Sequence, residues 1–193
     1  MRIVAGRHRG RRLTAPAGAA VRPTSDRARQ AVFNILMHNP ALAGPGRPNA
    51  VVGAQVLDAF AGTGAMGLEA LSRGAAGLAA IETDREAVAA LRENLRRLGE
   101  LERARLYRTD AADPPPRPPG QPAADLAFLD PPYGEGLAGP ALAALSSRGW
   151  LAPGALCVVE IGPRDALAPP AGFTPLDERR YGRARIVFLR APA

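Results

Sequence analysis

The sequence contains no lysine, one cysteine and two histidines among its 193 residues, and aromatic residues make up only 5% of it. The single cysteine, Cys157, excludes an internal disulfide framework and a zinc site built from cysteines. His8 and His38 stand far apart in the chain, so we predict no metal site. Long apolar runs are also missing. Residues 30–46 form the longest stretch without a charge, and asparagine, histidine and proline interrupt it, which excludes a membrane-spanning helix.

What remains is an ordinary globular composition, with 47% hydrophobic and 22% charged residues. A chain of this length can bury a core without disulfides or structural metal. No leader with basic and then apolar residues opens the sequence. We therefore expect a cytoplasmic protein without membrane contact, monomeric by default, with one domain or one domain and a small appendage.

The net charge of +7 is concentrated at the N-terminus. All 25 basic residues are arginines, and eight of them lie in residues 1–29 beside a single acid, whereas residues 30–193 carry equal numbers of arginines and acids. Guanidinium groups match phosphate oxygens and release counterions on binding. We predict that this segment binds RNA; a solvated patch or a disordered arm is the alternative. The predicted RNA contacts are Arg2, Arg7, Arg9, Arg11, Arg12, Arg22 and Arg27.

The N-terminal pattern indicates a small extension before a larger domain. Residues 2–14 alternate loosely around a glycine turn, which is typical of a hairpin. A helix is expected from Asp26, capped by Thr24 or Ser25. A segment rich in proline, glycine and asparagine, residues 38–50, then predicts a linker. The predicted units are a basic hairpin and helix at 1–40 and a main domain at 41–193.

Short apolar runs alternate with helical patterns from residue 55 onward. This alternation predicts an α/β fold, a doubly wound and mostly parallel sheet with helices on both faces, closed by a hairpin that makes the last strand antiparallel. Residues 111–124 hold six prolines, so we expect an extended loop there instead of a crossover helix. The predicted strands are 56–60, 78–81, 105–109, 126–129, 155–161, 174–181 and 186–189, and the later helices follow residue 65 and span 84–98 and 137–145.

A glycine loop follows the first predicted strand. Residues 62–67, Gly-Thr-Gly-Ala-Met-Gly, satisfy G-x-G-x-x-G, and Glu82 follows where an acid that holds ribose hydroxyls belongs. This pattern alone fits a nicotinamide dinucleotide as well as any other adenosine-bearing cofactor. Asp58 favours S-adenosylmethionine over a dinucleotide. Its carboxylate would repel the pyrophosphate of a dinucleotide and would attract the ammonium and sulfonium groups of S-adenosylmethionine.

The same interpretation places two further contacts on the cofactor. Glu82 can accept two hydrogen bonds from ribose hydroxyls, and Asp110, after the third strand, can accept one from an adenine amine. The predicted cofactor residues are therefore Asp58, Gly62, Gly64, Glu82 and Asp110. The alternative is a buried capping role for Asp58 and plain surface positions for the other two acids.

A rigid tetrapeptide, Asp130-Pro131-Pro132-Tyr133, ends the fourth predicted strand. The prolines fix φ and remove two backbone donors, so the turn offers carbonyls and a carboxylate that only accept hydrogen bonds. Such acceptors suit a planar amino group, and Tyr133 offers a ring on which a base can stack. Holding an exocyclic amine in this way would aim its nitrogen lone pair at a methyl donor. A proline-stiffened turn without chemistry is the alternative.

The D-x-F-x-G-x-G loop with a downstream D-P-P-Y resembles the class I S-adenosylmethionine-dependent methyltransferases that act on exocyclic amines. The N-terminal segments narrow the resemblance to the RsmD family, and it extends from Arg2 to the final hairpin. It implies methylation of the N2 amine of one guanine in 16S ribosomal RNA, free or within an assembling small ribosomal subunit, and it adds Phe60 to the cofactor loop. Gln30, where the family usually has glutamate, and the proline-rich loop depart from the pattern. The segments that carry the likeness are Arg2-Ile3-Val4-Ala5-Gly6, Gly10-Arg11-Arg12-Leu13, Arg22-Pro23-Thr24-Ser25-Asp26-Arg27 and Phe33-Asn34.

Three alternatives remain open from the residues. A Rossmann oxidoreductase would bind a nicotinamide cofactor, and a non-catalytic RNA-binding module would bind neither cofactor. Among methyltransferases, an adenine N6 or glutamine amide acceptor is possible, because the acceptor turn recognises an amino group and not the ring that carries it.

Overall fold

A computed structural model describes residues 1–15, 26–44 and 46–193. An isolated antiparallel bridge between Arg2 and Arg12 forms the N-terminal hairpin. Helices are α1 (Asp26–His38), α2 (Ala65–Ser72), α3 (Arg85–Leu98) and α4 (Ala138–Ser147). Strands are β1 (Gln55–Ala59), β2 (Gly77–Ile81), β3 (Ala104–Tyr107), β4 (Ala124–Leu129), β5 (Leu151–Ile161), β6 (Thr174–Tyr181) and β7 (Ala184–Arg190).

The strands form one seven-stranded sheet in the order β3-β2-β1-β4-β5-β7-β6. All neighbouring pairs from β3 to β5 are parallel, and β7 runs antiparallel to both of its neighbours. The predicted doubly wound sheet with an antiparallel last strand is confirmed. The chain changes winding direction between β1 and β4, and ligands of such sheets bind outside the carboxyl ends of the strands at this point.

The two faces of the sheet bury separate apolar cores. Helices α1, α2 and α3 cover one face, whereas α4 and Trp150 cover the other. Ile3 and Leu13 of the N-terminal hairpin are buried in the first core together with Phe33 of α1. The extension therefore packs on the main domain, and a domain boundary near residue 40 stays a prediction.

Several local expectations need adjustment. The helix begins at Asp26 as expected, but its predicted caps lie outside the described residues. The predicted linker contains a 3-10 turn at Pro40–Leu42 and buries Val51 shortly afterwards, so it contributes to the core. The third strand ends at Tyr107, two residues early, because the chain there leaves the edge of the sheet.

The proline-rich loop is extended, as predicted. The side chain of Arg117 donates from Nε to the Gly149 carbonyl at 2.6 Å, and the Trp150 Nε1 donates to the Pro115 carbonyl at 2.8 Å. These bonds replace the backbone ladder that prolines cannot supply. Among the described ranges, no helix is long and apolar enough to cross a membrane.

Candidate active site at the carboxyl edge of the sheet

Four side chains end adjacent strands at the same level of the sheet. The last paired residues of β1, β2 and β4 are level with one another, so Phe60, Glu82 and Asp130 each lie one residue beyond that level. The register between β4 and β5 places Glu160 beside Asp130. The order along this edge is therefore Glu82, Phe60, Asp130 and Glu160. The predicted cofactor acid and the predicted acceptor turn lie on either side of the switch point.

The glycine loop is held by Glu82. One carboxylate oxygen, Oε2, accepts from the Gly62 amide at 2.7 Å, and Oε1 accepts from the Thr83 and Asp84 amides at 2.7 and 2.9 Å. These bonds fix the carboxylate at the end of β2. Oε1 is saturated by these two amides, whereas Oε2 has one further acceptor position at which it can receive a ribose hydroxyl.

Asp58 lies deeper in the same site, with 3% of its surface exposed. Its Oδ2 accepts from the Gly67 amide in the first turn of α2 at 2.8 Å. Burial raises the pKa of Asp58 to about 7, the bond from Gly67 opposes this rise, and the negative charge of Glu82 adds to it. A cation near the glycine loop would favour the ionised form of this carboxylate.

Phe60 has a backbone conformation that side chains rarely adopt. Its φ is +64°, the only positive φ among non-glycine residues of the described chain. Strict alternation along β1 would place its ring on the face shared by Val56 and Asp58, yet the ring packs against the opposite core. Left-handed backbone in a non-glycine residue is strained and is concentrated at functional sites. Here it turns an aromatic ring away from the face on which the acids lie.

The Asp130 turn is clamped to the end of β5. The Tyr133 hydroxyl donates to Glu160 Oε1 at 2.5 Å, and Asp165 Oδ2 accepts from the amides of Gly134 and Gly162 at 3.1 and 3.0 Å. Pro131 is buried and Tyr133 half-buried. The two clamping acids are absent from our predicted site. Their signal lies in strand register, which the sequence does not show.

Asp130 and Glu160 line an apolar pocket that we call the acceptor cleft. It lies on the face of the sheet that α1 and α2 cover. Apolar walls strengthen hydrogen bonds to the two carboxylates because water is displaced from around them. The lining residues are Val32, Met66, Phe128, Leu129, Asp130, Val158, Glu160 and Ile186.

Asp110 lies apart from the other predicted cofactor residues. It is exposed, and its Oδ1 accepts from the Ala112 amide at 2.8 Å in a local turn. Strand β3 is two positions from β1, next to the strand that carries Glu82. The predicted bond from Asp110 to an adenine amine stays a prediction.

The predicted RNA contacts that the structure describes lie on the surface. Arg22 lies outside the described residues. Arg7 is half-exposed and its guanidinium pairs with Glu100 at 2.5 Å, and Arg2 lies 3.8 Å from Asp26. The exposed members without a carboxylate partner within the described ranges are Arg9, Arg11, Arg12 and Arg27.

Arg29 of α1 is a buried arginine. Helical spacing places it on a polar face, but the side chain is fully buried. Its guanidinium donates to Asp26 at 2.8 Å and lies 3.5 Å from Glu69 of α2. The reason is long-range, because Glu69 is fully buried and needs a positive partner. One of the eight N-terminal arginines is therefore structural.

The N-terminal hairpin is attached to both α2 and the glycine loop. Glu69 accepts from the amides of Val4 and Ala5 at 2.8 and 3.0 Å. At the open end of the hairpin, the Thr14 amide donates to Asn94, which in turn donates to the Thr63 carbonyl. This chain of bonds connects the basic extension with the glycine loop.

Neither a metal-ligating cluster nor a reactive thiol extends the site within the described part of the chain. No cluster of three metal-ligating side chains occurs within the residues that the structure describes. Cys157 is buried in β5, and burial raises the pKa of its thiol to about 12. A thiol in this state packs and does not act as a nucleophile.

The chain is similar to known proteins over most of its length. The model of the family described as conserved hypothetical protein 95 matches residues 1–190. The ribosomal RNA small subunit methyltransferase D of Haemophilus influenzae is 36% identical over 183 residues, which cover 94% of this chain and 89% of that protein. The protein of the same name from Escherichia coli K12 is 41% identical over 160 residues, or 83% of this chain and 74% of the relative.

Solved structures show the same fold. The candidate methyltransferase yhhF of Escherichia coli superposes with a TM-score of 0.80 at 36% identity, covering 100% of this chain and 98% of that one. A hypothetical protein from Thermus thermophilus gives a TM-score of 0.72 at 32% identity, with coverage of 100% and 99%. The sheet and its helices therefore form a Rossmann-like class I methyltransferase fold.

Proposed function

The chain belongs to the family described as conserved hypothetical protein 95, the RsmD family, and on that premise we propose that it methylates the N2 amine of one guanine in 16S ribosomal RNA, with S-adenosylmethionine as methyl donor. The observation that carries this proposal is the row of acids at the carboxyl edge of the sheet. Glu82 lies on one side of the switch point, and Asp130 with its proline turn lies on the other.

The residues of the site suit S-adenosylmethionine better than a dinucleotide. The predicted cofactor residues include three acids and no arginine. The acids are Asp58, Glu82 and Asp110. A pyrophosphate would meet repulsion from these groups, whereas a sulfonium and an ammonium would be attracted. When bound, the cofactor supplies an electrophilic methyl group. Asp58, Phe60, Gly62, Gly64, Glu82 and Asp110 would hold it.

The acceptor turn supports transfer to an amine. The guanine N2 amine donates one hydrogen to the Asp130 carboxylate and the other to the Pro131 carbonyl, and the base stacks on Tyr133. Accepting both hydrogens favours a pyramidal nitrogen and directs its lone pair away from the turn, toward the glycine loop. The new nitrogen–carbon bond would form as the sulfur–methyl bond of the donor broke and left a neutral thioether, and the nitrogen would lose one proton to Asp130 or to water. The rest of the site excludes water through the apolar walls of the acceptor cleft.

The basic surface supports an RNA substrate. Arg9, Arg11, Arg12 and Arg27 are exposed, and the hairpin covers the same face of the sheet as the acceptor cleft. We propose that these arginines, with Arg2, Arg7 and Arg22, contact the phosphate backbone while the target base is turned out of its stack. The substrate would be cytoplasmic, as free ribosomal RNA or an assembling small subunit, and the enzyme a monomer.

The direct test replaces Asp130 with alanine. We expect Asp130→Ala to abolish transfer of a tritiated methyl group to ribosomal RNA, because the amine loses its charged acceptor, while calorimetry shows nearly unchanged binding of S-adenosylmethionine. Asp113→Ala is the control, since Asp113 is 84% exposed and pairs with Arg148 at the end of α4 on the other face of the sheet. Normal turnover of Asp130→Ala would refute the role of the turn.

A further inference from the structure

We propose that Asn94 of α3 is a positioning residue that couples RNA binding at the N-terminal hairpin to cofactor binding at the glycine loop. This inference rests on the proposed function and deepens it, because it concerns how the two substrates of one reaction assist each other. The hairpin carries arginines proposed to contact RNA, and the glycine loop is proposed to hold S-adenosylmethionine. A single buried amide contacts both segments.

The Asn94 side chain joins the two segments through hydrogen bonds. Its Oδ1 accepts from the Thr14 amide at 2.8 Å, and its Nδ2 donates to the Thr14 carbonyl at 3.0 Å and to the Thr63 carbonyl at 3.2 Å. Because an amide nitrogen carries only two hydrogens, each of them holds a different segment. Neither segment can move away without breaking a bond that fixes the orientation of this amide.

Asn94 lies at a position of α3 where an apolar residue would pack. It belongs to the buried stripe of the helix with Leu91 and Leu95, and 1% of its surface is exposed. A buried amide is costly there unless it is hydrogen-bonded. The partners of this side chain are backbone atoms outside α3, so the amide serves the hairpin and the glycine loop and not its own helix.

On the cofactor side, Asn94 fixes the middle of the glycine loop. Thr63 lies between Gly62 and Gly64, and the Gly62 amide donates to Glu82. The loop is therefore held from β2 through Glu82 and from α3 through Asn94. The position of this loop would determine where the cofactor lies.

On the RNA side, Asn94 fixes the part of the hairpin that carries Arg11 and Arg12. Thr14 follows these exposed arginines, and its hydroxyl also accepts from Arg97 of α3 at 2.9 Å. An RNA that held the two arginines would restrain Thr14 and, through Asn94, the glycine loop. A cofactor that binds the restrained loop then costs less conformational freedom, and each ligand tightens the binding of the other by the same factor.

The experiment measures this coupling factor. Filter binding gives the dissociation constant of an unmethylated 16S ribosomal RNA transcript without and with saturating sinefungin, an analogue of S-adenosylmethionine that has no transferable methyl group. The coupling factor is the ratio of the first constant to the second. We expect a factor of at least about five for the wild type and a factor near one for Asn94→Ala, in which the RNA and sinefungin each still bind alone.

Two further variants separate coupling from stability. Asn94→Asp keeps an acceptor for the Thr14 amide but loses both donated hydrogens, so its factor should also be near one, and it repeats the test if Asn94→Ala does not fold. Asn49→Ala is the matched control, because Asn49 is also buried and accepts from the Val51 and Val52 amides, which belong to neither the hairpin nor the glycine loop. It should keep the wild-type factor.

Three results would overturn the proposal and leave the proposed function intact. A factor near one in the wild type would show that the two sites are independent. A wild-type factor retained in the Asn94 variants, or lost equally in Asn49→Ala, would limit Asn94 to stabilising the fold. Failure of the wild type to bind sinefungin or the RNA would instead refute the proposed function itself.

Discussion

Asp58 places a carboxyl group beneath the glycine loop, where almost none of its surface reaches water. Because its pKa rises from 3.8 to about 7, the folded protein holds a proton there that the unfolded chain releases between pH 4 and 7. The stability that this proton contributes is therefore present at low pH and is lost as the pH rises toward 7. A charge in this position therefore weakens the fold.

We predict that Asp58→Asn raises stability above pH 7. An amide needs no ionisation, and its oxygen can still accept from the Gly67 amide. The expected change is a melting temperature higher by about 5 °C at pH 8, with little difference near pH 4. Thermal unfolding of both proteins at pH 4, 6 and 8 measures it. Equal pH dependence of the two proteins would show that Asp58 is not the titrating group.

Single residues also mark the limit of sequence interpretation. The roles proposed for Asp58, Glu82 and Asp130 were predicted from spacing, since each residue follows or ends a strand of recognisable pattern. The position of Glu160 could not be predicted in this way, because its proximity to Asp130 depends on the register between β4 and β5. The Phe60 ring packs on the opposite face because φ of this residue is positive. The burial of Arg29 depends on Glu69, forty residues further along the chain.

At the scale of elements, the N-terminal hairpin and α1 are fastened to α2 through one buried acid. Glu69 accepts from two hairpin amides and pairs with Arg29 and Arg73. Nε and Nη1 of Arg29 are buried without a hydrogen bond among the described residues, so that guanidinium depends on nearby negative charge. The alternation of strands and helices could be predicted from the sequence. The contacts of Glu69 with the hairpin and with α1 could not, because no sequence pattern relates these three segments.

Removing Glu69 should loosen the extension. We predict that Glu69→Ala lowers the free energy of unfolding by about 3–5 kcal/mol, because it removes the buried carboxylate that pairs with Arg29 and Arg73 and leaves the Val4 and Ala5 amides without their acceptor. Urea unfolding measures the change. The control is Glu93→Ala on the exposed face of α3, where the pair with Arg96 lies in solvent and the urea midpoint should not move. A similar loss in both variants would contradict a specific role for the buried acid.

At the scale of the molecule, charge and chemistry share one face. The acceptor cleft and the arginine-bearing hairpin both lie on the side that α1 and α2 cover, and the bonds from Thr14 through Asn94 to Thr63 connect the hairpin to the glycine loop. The uneven charge along the sequence predicted a binding segment. Its placement on the same face of the sheet as the cleft follows only from the packing of Ile3 and Leu13 into the core.

RNA affinity should therefore respond to charge on this face. We predict that replacing Arg9, Arg11 and Arg12 with glutamine weakens RNA binding and lowers the slope of log K against log salt by about 2. Arg148→Gln on the opposite face is compared with Arg11→Gln, so that each variant loses one charge. Filter binding from 50 to 200 mM salt measures the slopes. An identical slope for the triple variant and the wild type would place the RNA contact elsewhere.

The central claim is that one guanine in 16S ribosomal RNA acquires its N2 methyl group at Asp130. Nuclease digestion and mass spectrometry of ribosomal RNA from a deletion strain, complemented with the wild type or with Asp130→Ala, test it most directly. We expect one missing N2-methylguanosine in the deletion strain, restored by the wild type and not by the variant. An unchanged set of methylated guanines in the deletion strain, or full restoration by Asp130→Ala, would contradict it.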